Sequence, residues 1–127
     1  MATHKGGCHC GRVRFELDAP AVIAATECNC SICQMSGFLH LIVASSDFRL
    51  LCGEDDLTTY TFNTGVAKHR FCRQCGVKSF YIPRSHPDGV SVNVRCIDPD
   101  TIERVDVTLF DGRNWEQNVA KLSPISD

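Results

Sequence analysis

Thr58-Thr59-Tyr60-Thr61-Phe62-Asn63-Thr64-Gly65-Val66-Ala67-Lys68-His69-Arg70-Phe71-Cys72-Arg73-Gln74-Cys75-Gly76 holds two signals that decide the fold class. The first is a hairpin. Residues 58–62 are rich in threonine and aromatics, which suit a pleated surface, Asn63-Thr64-Gly65 is a turn, and residues 67–71 form a second candidate strand. The second signal, Cys72-Arg73-Gln74-Cys75-Gly76, is a zinc-knuckle signature. Two residues between ligands let both sulfurs face one ion across a tight turn. A glycine after them can turn left-handed and let backbone N–H groups point at the thiolates.

Outward from this stretch the chain reads mostly as strands. Arg12-Val13-Arg14-Phe15-Glu16-Leu17 alternates apolar and charged residues, as a half-buried strand does. Val90, Val92, Val94 and Cys96 fall on one strand face, with Ser91, Asn93 and Arg95 opposite. Val105-Asp106-Val107-Thr108-Leu109 is a fifth strand candidate, and residues 39–44 a more buried sixth. Helix signals are confined to single turns at Ser31-Ile32-Cys33-Gln34-Met35 and at Asp98-Pro99-Asp100-Thr101-Ile102-Glu103, with a short piece from Asn114 onward. Strands joined by short turns imply a mainly β, antiparallel architecture. No linker or repeat divides residues 1–127, which read as a single zinc-binding domain.

Thirteen basic and fifteen acidic residues leave a net charge of -2, which lacks the basic field that nucleic acid or an anionic membrane attracts. The weakly apolar stretch 19–25 is far short of the ~20 residues a membrane helix needs. Met1-Ala2-Thr3-His4-Lys5-Gly6-Gly7 has no apolar core of the kind a leader carries, so a cytoplasmic protein with reduced thiols is expected. Nine cysteines, an odd number, then read as metal ligands rather than disulfides.

Seven of the nine fall into three groups: Cys8-His9-Cys10, Cys28-Asn29-Cys30-Ser31-Ile32-Cys33, and Cys72 with Cys75. In an extended segment residues i and i+2 share a face, so Cys8 and Cys10 can reach one ion together. Thiolates favour zinc or an iron–sulfur cluster, and the Cys-x-Cys spacings do not match ferredoxin runs, which leaves zinc. Seven ligands cannot close two four-cysteine sites. The arithmetic points to one closed, structural zinc and one zinc with three ligands and an open, reactive position. Cys28, Cys30 and Cys33 are the contiguous triplet, with Cys8 and Cys10 joining Cys72 and Cys75. Spacing alone leaves a rival partition open, in which Cys8 and Cys10 join two of the central group. Cys96 reads as a small buried hydrophobe on the valine face, and Cys52 as incidental at a turn.

Gly6-Gly7-Cys8-His9-Cys10-Gly11, Cys28-Asn29-Cys30-Ser31-Ile32-Cys33 and Phe71-Cys72-Arg73-Gln74-Cys75-Gly76, with Phe110-Asp111-Gly112-Arg113-Asn114-Trp115-Glu116 near the end, resemble the glutathione-dependent formaldehyde-activating enzymes, a family that includes the centromere protein V domain. The resemblance spans residues 6–116. It implies the Mss4-like fold of antiparallel β-sheets, and it implies a partition. Cys8, Cys10, Cys72 and Cys75 correspond to the family's structural zinc. Cys28, Cys30 and Cys33 correspond to its catalytic zinc, where glutathione meets the metal. The implied activity is that of a carbon–sulfur lyase, such as formation of S-hydroxymethylglutathione from glutathione and formaldehyde.

On this reading the protein holds two zinc ions, the second the more labile, and its partner is a small thiol such as glutathione. Three thiolates and a zinc dication sum to about -1, so carbonyl activation by the metal is modest. Arg70, Arg73, Arg84, Arg95 and Arg113 are candidates to hold glutathione's carboxylates. His9, His40, His69 and His86 could move protons, but none is assigned. His40 reads as a core residue, His69 as a surface or ligand-supporting one, and Trp115 as core or lid packing. A rival class stays open: a non-catalytic zinc scaffold, or a glutathione-binding module with a protein partner.

Overall fold

The seven strands of the larger sheet run in the order β10-β3-β4-β9-β8-β7-β6, and a second sheet is ordered β1-β2-β5. The computed structural model describes residues 1–114. Its strands are β1 Ala2–Gly7, β2 Arg14–Ala19, β3 Val22–Cys28, β4 Leu39–Ala44, β5 Phe48–Cys52, β6 Leu57–Tyr60, β7 Lys68–Cys72, β8 Phe80–Ile82, β9 Gly89–Asn93 and β10 Arg104–Phe110. Among the described residues one short α-helix, α1 Ser31–Ser36, interrupts them, beside single 3-10 turns. The expected mainly β architecture is what the chain forms. The hairpin is β6–β7, with Leu57 opposite Cys72 and Tyr60 opposite His69. Among the described residues every strand pairing is antiparallel except one: β10 runs parallel to β3, with Phe110 beside Cys28. Among the described residues, no helix is long and apolar enough to cross a membrane.

Alternation does the packing work. On β2, Phe15, Leu17 and Ala19 point inward and are buried. They meet the apolar face of the larger sheet, where Ile23, Ala25, Val43, Phe80, Val90 and Val92 are buried. Phe15, Phe48 and Phe80 cluster with ring centres 4.8–6.0 Å apart. Each such side chain contributes ~1.5–3 kcal/mol on burial. The opposite face of the larger sheet is therefore free to carry chemistry.

One sequence expectation needs correction. The valine strand stops at Asn93, and Val94–Cys96 turn as a 3-10 helix. Asn93 Oδ1 accepts from the Arg95 and Leu39 backbone N–H groups, which draws the chain out of the extended form. Cys96 consequently leaves the valine face and is only half-buried. The fifth strand candidate is β10, where Val105 packs against the core while Val107 is 50% and Leu109 77% exposed. Parallel pairing to β3 alone leaves β10 as a sheet edge. The piece expected from Asn114 onward, with Trp115 and Glu116, lies outside the described residues.

Candidate metal centres and cavity

Cys8 and Cys10 lie in the turn after β1, and Cys72 and Cys75 close β7, so the topology brings two turns together across the sheets. The four sulfurs all lie within 4.8 Å of one another. Cys8 Sγ and Cys10 Sγ are 3.6 Å apart, as are Cys10 Sγ and Cys72 Sγ. A tetrahedral ion with ~2.3 Å metal–sulfur bonds spaces its sulfurs by about 3.8 Å, whereas a disulfide needs ~2.05 Å. The residues thus fit a four-thiolate metal site. Backbone groups support it: the Val13 N–H donates to Cys8 Sγ at 3.3 Å. Gly76, at φ 77°, lets its N–H reach the Cys72 carbonyl at 2.8 Å. Burial raises the Cys75 thiol, but N–H donation from Cys10 and Val77 outweighs it and the net value falls to about 6.

Cys28, at the end of β3, and Cys30 and Cys33, at the start of α1, form a second group with sulfurs also within 4.8 Å. Hydrogen bonds within the triplet push the Cys28 and Cys33 thiols up and the Cys30 thiol down. Three crowded thiols thus favour a single charge among them, and a divalent cation is the partner that lets all three ionise. Both groups are compatible with zinc. The structure assembles the seven sulfurs as four and three, the partition that spacing alone left open.

The triplet loop is held by the segment after β10. Asn29 Nδ2 donates to Asp111 Oδ1 at 3.1 Å, and the Arg113 N–H donates to Asn29 Oδ1 at 3.1 Å. The Arg113 guanidinium bonds the Asn29 carbonyl and Gln34 Oε1. Gly112 is buried, and a methyl group there would overlap Cys28 Sγ and crowd Cys30 Cβ at 3.0 Å. Gly112→Ala is therefore expected to weaken metal binding at the triplet about 10- to 100-fold, the usual cost of disturbing a ligand's support. The four-sulfur group should keep its metal. Metal content after dialysis checks this, and full occupancy of both groups would contradict it.

The triplet opens into a cavity of about 380 Å³ on the free face of the larger sheet. Strand register sets its walls. Thr26 and Cys28 from β3, His40 and Ile42 from β4, His69 from β7 and Tyr81 from β8 line it, with Phe62 at its edge and Arg84 and Arg113 also in the wall. Tyr60, His69, Tyr81 and Ser91 follow one another across β6, β7, β8 and β9. The face of β9 opposite its valines is thus covered rather than wet: Ser91 and Asn93 are buried.

Of the candidate histidines, only His40 and His69 reach this cavity. His40 Nε2 is 3.1 Å from Cys33 Sγ, and its Nδ1 is 2.9 Å from Ser91 Oγ. The Ser91 hydroxyl can donate to Nδ1, which leaves Nε2–H to donate to the sulfur and orient it. Burial, then the Lys78 charge, lowers His40 to about 4, so it is neutral near pH 7. His9 is exposed beside the four-sulfur group, and His86 bonds Ser85 Oγ at 2.8 Å. Among the arginines, Arg95 lines a separate cavity behind the triplet with Phe38 and Leu109, and Arg73 pairs with Asp56 at 3.6 Å. Sequence reasoning missed Tyr81 and Lys78. Lys78 Nζ lies 4.4 Å from the Tyr81 ring centre and 4.9 Å from that of Phe38.

A family profile described as glutathione-dependent formaldehyde-activating enzyme matches residues 3–112. A Halomonas elongata protein named "Putative glutathione-dependent formaldehyde-activating enzyme" is 26% identical over 122 residues, 87% of this chain and 78% of its own. A crystal structure of a Rhodobacter sphaeroides protein superposes with a TM-score of 0.69 at 37% identity, over 82% of this chain and 99% of that one. With the profile spanning both cysteine groups and the strands that carry them, the chain belongs to the glutathione-dependent formaldehyde-activating enzyme family.

Proposed function

We propose that the protein is a zinc-dependent carbon–sulfur lyase that joins glutathione, or a related thiol, to formaldehyde and splits the adduct in reverse. The observation that supports this most is placement: the three-sulfur group faces a cavity of ligand size, whereas none of the four-sulfur group lines it. On this reading Cys8, Cys10, Cys72 and Cys75 hold a structural zinc, and Cys28, Cys30 and Cys33 a second zinc with an open position. Zinc bound there would supply a site at which an incoming thiol loses its proton.

The chain's own residues do the rest. Cys28, Cys30 and Cys33 fix where the sulfur sits, and His40 keeps Cys33 oriented through its Nε2 donor. Arg84 and Arg113 put positive charge in the wall, where glutathione's carboxylates can be held. Proximity then favours addition: the carbon–sulfur bond forms, the carbonyl π pair moves to oxygen, and oxygen takes a proton. No oxidant or reductant is consumed.

Cys30→Ala is expected to weaken glutathione binding about tenfold or more while the fold survives, because only the open site loses a ligand. Calorimetric titration of zinc-loaded protein measures this. Equal affinity in both proteins would show that the triplet is not where the thiol binds.

A further inference from the structure

Two histidines line the cavity, and their surroundings differ in one respect. Both ring nitrogens of His40 are occupied, by Cys33 and by Ser91. His69 is just as buried, 4% exposed, yet its Nε2 has no hydrogen-bond partner among the described residues. Its Nδ1 is 3.0 Å from Lys78 Nζ. An ammonium has donors and no acceptor, so Nδ1 must accept and the ring proton must sit on Nε2. The result is a buried N–H with nothing to give its hydrogen to. Buried polar groups are nearly always paired, so this N–H on a residue of the cavity wall calls for a partner that the described residues do not supply.

The ring cannot readily turn away. It stacks on Tyr81 at 4.8 Å and 12°, and on Phe62 at 5.4 Å and 22°. Lys78 is held in its turn by the Tyr81 and Phe38 rings, with no carboxylate paired to it among the described residues. Burial lowers both groups: Lys78 falls below the usual lysine value, and His69, also under the Lys78 charge, falls to about 4. A neutral imidazole backed by a readily deprotonated ammonium is a short proton relay.

We propose that His69 Nε2 is the hydrogen donor to the carbonyl oxygen of the aldehyde, with Lys78 the positioning residue that fixes the tautomer and refills the proton. This rests on the thiol–aldehyde reading of the cavity. As the thiolate sulfur bonds to the carbonyl carbon, the π pair moves to oxygen, and oxygen takes the Nε2 proton. Nδ1 takes a proton from Lys78 Nζ, which becomes a neutral amine. Solvent returns to Lys78 the proton that the thiol released on ionising, so the net change is addition of S–H across C=O. In the reverse direction the same nitrogen withdraws the hydroxyl proton as the carbon–sulfur bond breaks.

The test uses the full zinc-loaded chain, with glutathione and formaldehyde as probes. Nitrogen-15 NMR of the wild type near pH 7 should show His69 protonated at Nε2, and Lys78→Met should mix the tautomers. Exchange NMR between free and glutathione-bound formaldehyde gives the turnover, and calorimetry gives glutathione affinity. His69→Phe keeps the stacking and removes both nitrogens. It should lower turnover on the order of 10²- to 10³-fold, within the range of proton-transfer catalysis, with glutathione affinity changed less than about twofold. A proton on Nδ1 in the wild type, or wild-type turnover in His69→Phe, overturns the assignment and leaves the thiol site standing. A wild type that binds no glutathione and exchanges formaldehyde only at the uncatalysed rate overturns the underlying reading and this step with it. If His69→Phe does not fold, Lys78→Met decides: an unmixed Nε2 tautomer with unchanged turnover counts against the relay.

Discussion

Cys75→Ala is expected to yield insoluble or unfolded protein. Cys75 is only half-buried, so the substitution removes a ligand without emptying the core. The four-sulfur group ties the turn after β1 to the end of β7, bridging residues 62 apart in sequence. Structural zinc in finger peptides is worth roughly 10–16 kcal/mol near neutral pH, as much as the whole stability of a typical domain, ~5–15 kcal/mol. Loss of one ligand should forfeit a large share of it. Expression with soluble yield, metal content and a thermal melt will show the effect. A soluble Cys75→Ala protein with wild-type melting temperature and zinc content would overturn the structural assignment.

A mild chelator should strip the two metals in separate steps. The triplet is local, six residues from Cys28 to Cys33, and it faces a cavity, so an attacking ligand reaches it without unfolding anything. A zinc held there by three thiolates would keep a fourth position open to associative exchange. In the four-sulfur group Cys8 and Cys72 are buried, and the group is tied into both sheets. Its metal should leave only with the fold. After reloading with zinc, about one equivalent should be released quickly with the far-ultraviolet signal unchanged, and the second together with that signal. Loss of both at once, with the fold, would end the two-role assignment.

Local pattern carried much of this architecture. The alternation around Phe15 and Leu17 gave β2, and the threonine-rich run with its Asn-Thr-Gly turn gave the β6–β7 hairpin. What was hidden depends on distant partners. β1 contains two glycines and little that is apolar, yet its His4 is fully buried. Thr101 Oγ1 and the Pro20 carbonyl satisfy that ring, the first from 97 residues away. β8 is three residues long, too short to show a period. The same limit applied at the cavity. Cysteine grouping is visible in one dimension, but Tyr81 meets His69 only through the β7–β8 register. Lys78 becomes informative only once its ammonium is seen at Nδ1.

The parallel pairing of β10 with β3 also imposes a timetable on synthesis. Chains leave the ribosome N-terminus first. The four-sulfur group has all its members once Cys75 has emerged, and the strands on either side of it can then close. Cys28, Cys30 and Cys33 emerge much earlier, but Gly112 and Arg113, which brace their loop, follow far later, Arg113 being 79 residues beyond its partner Gln34. Until Arg113 has emerged, the three thiols stand without that brace. The cluster whose ligands lie closest together in sequence is thus the one whose support is completed last.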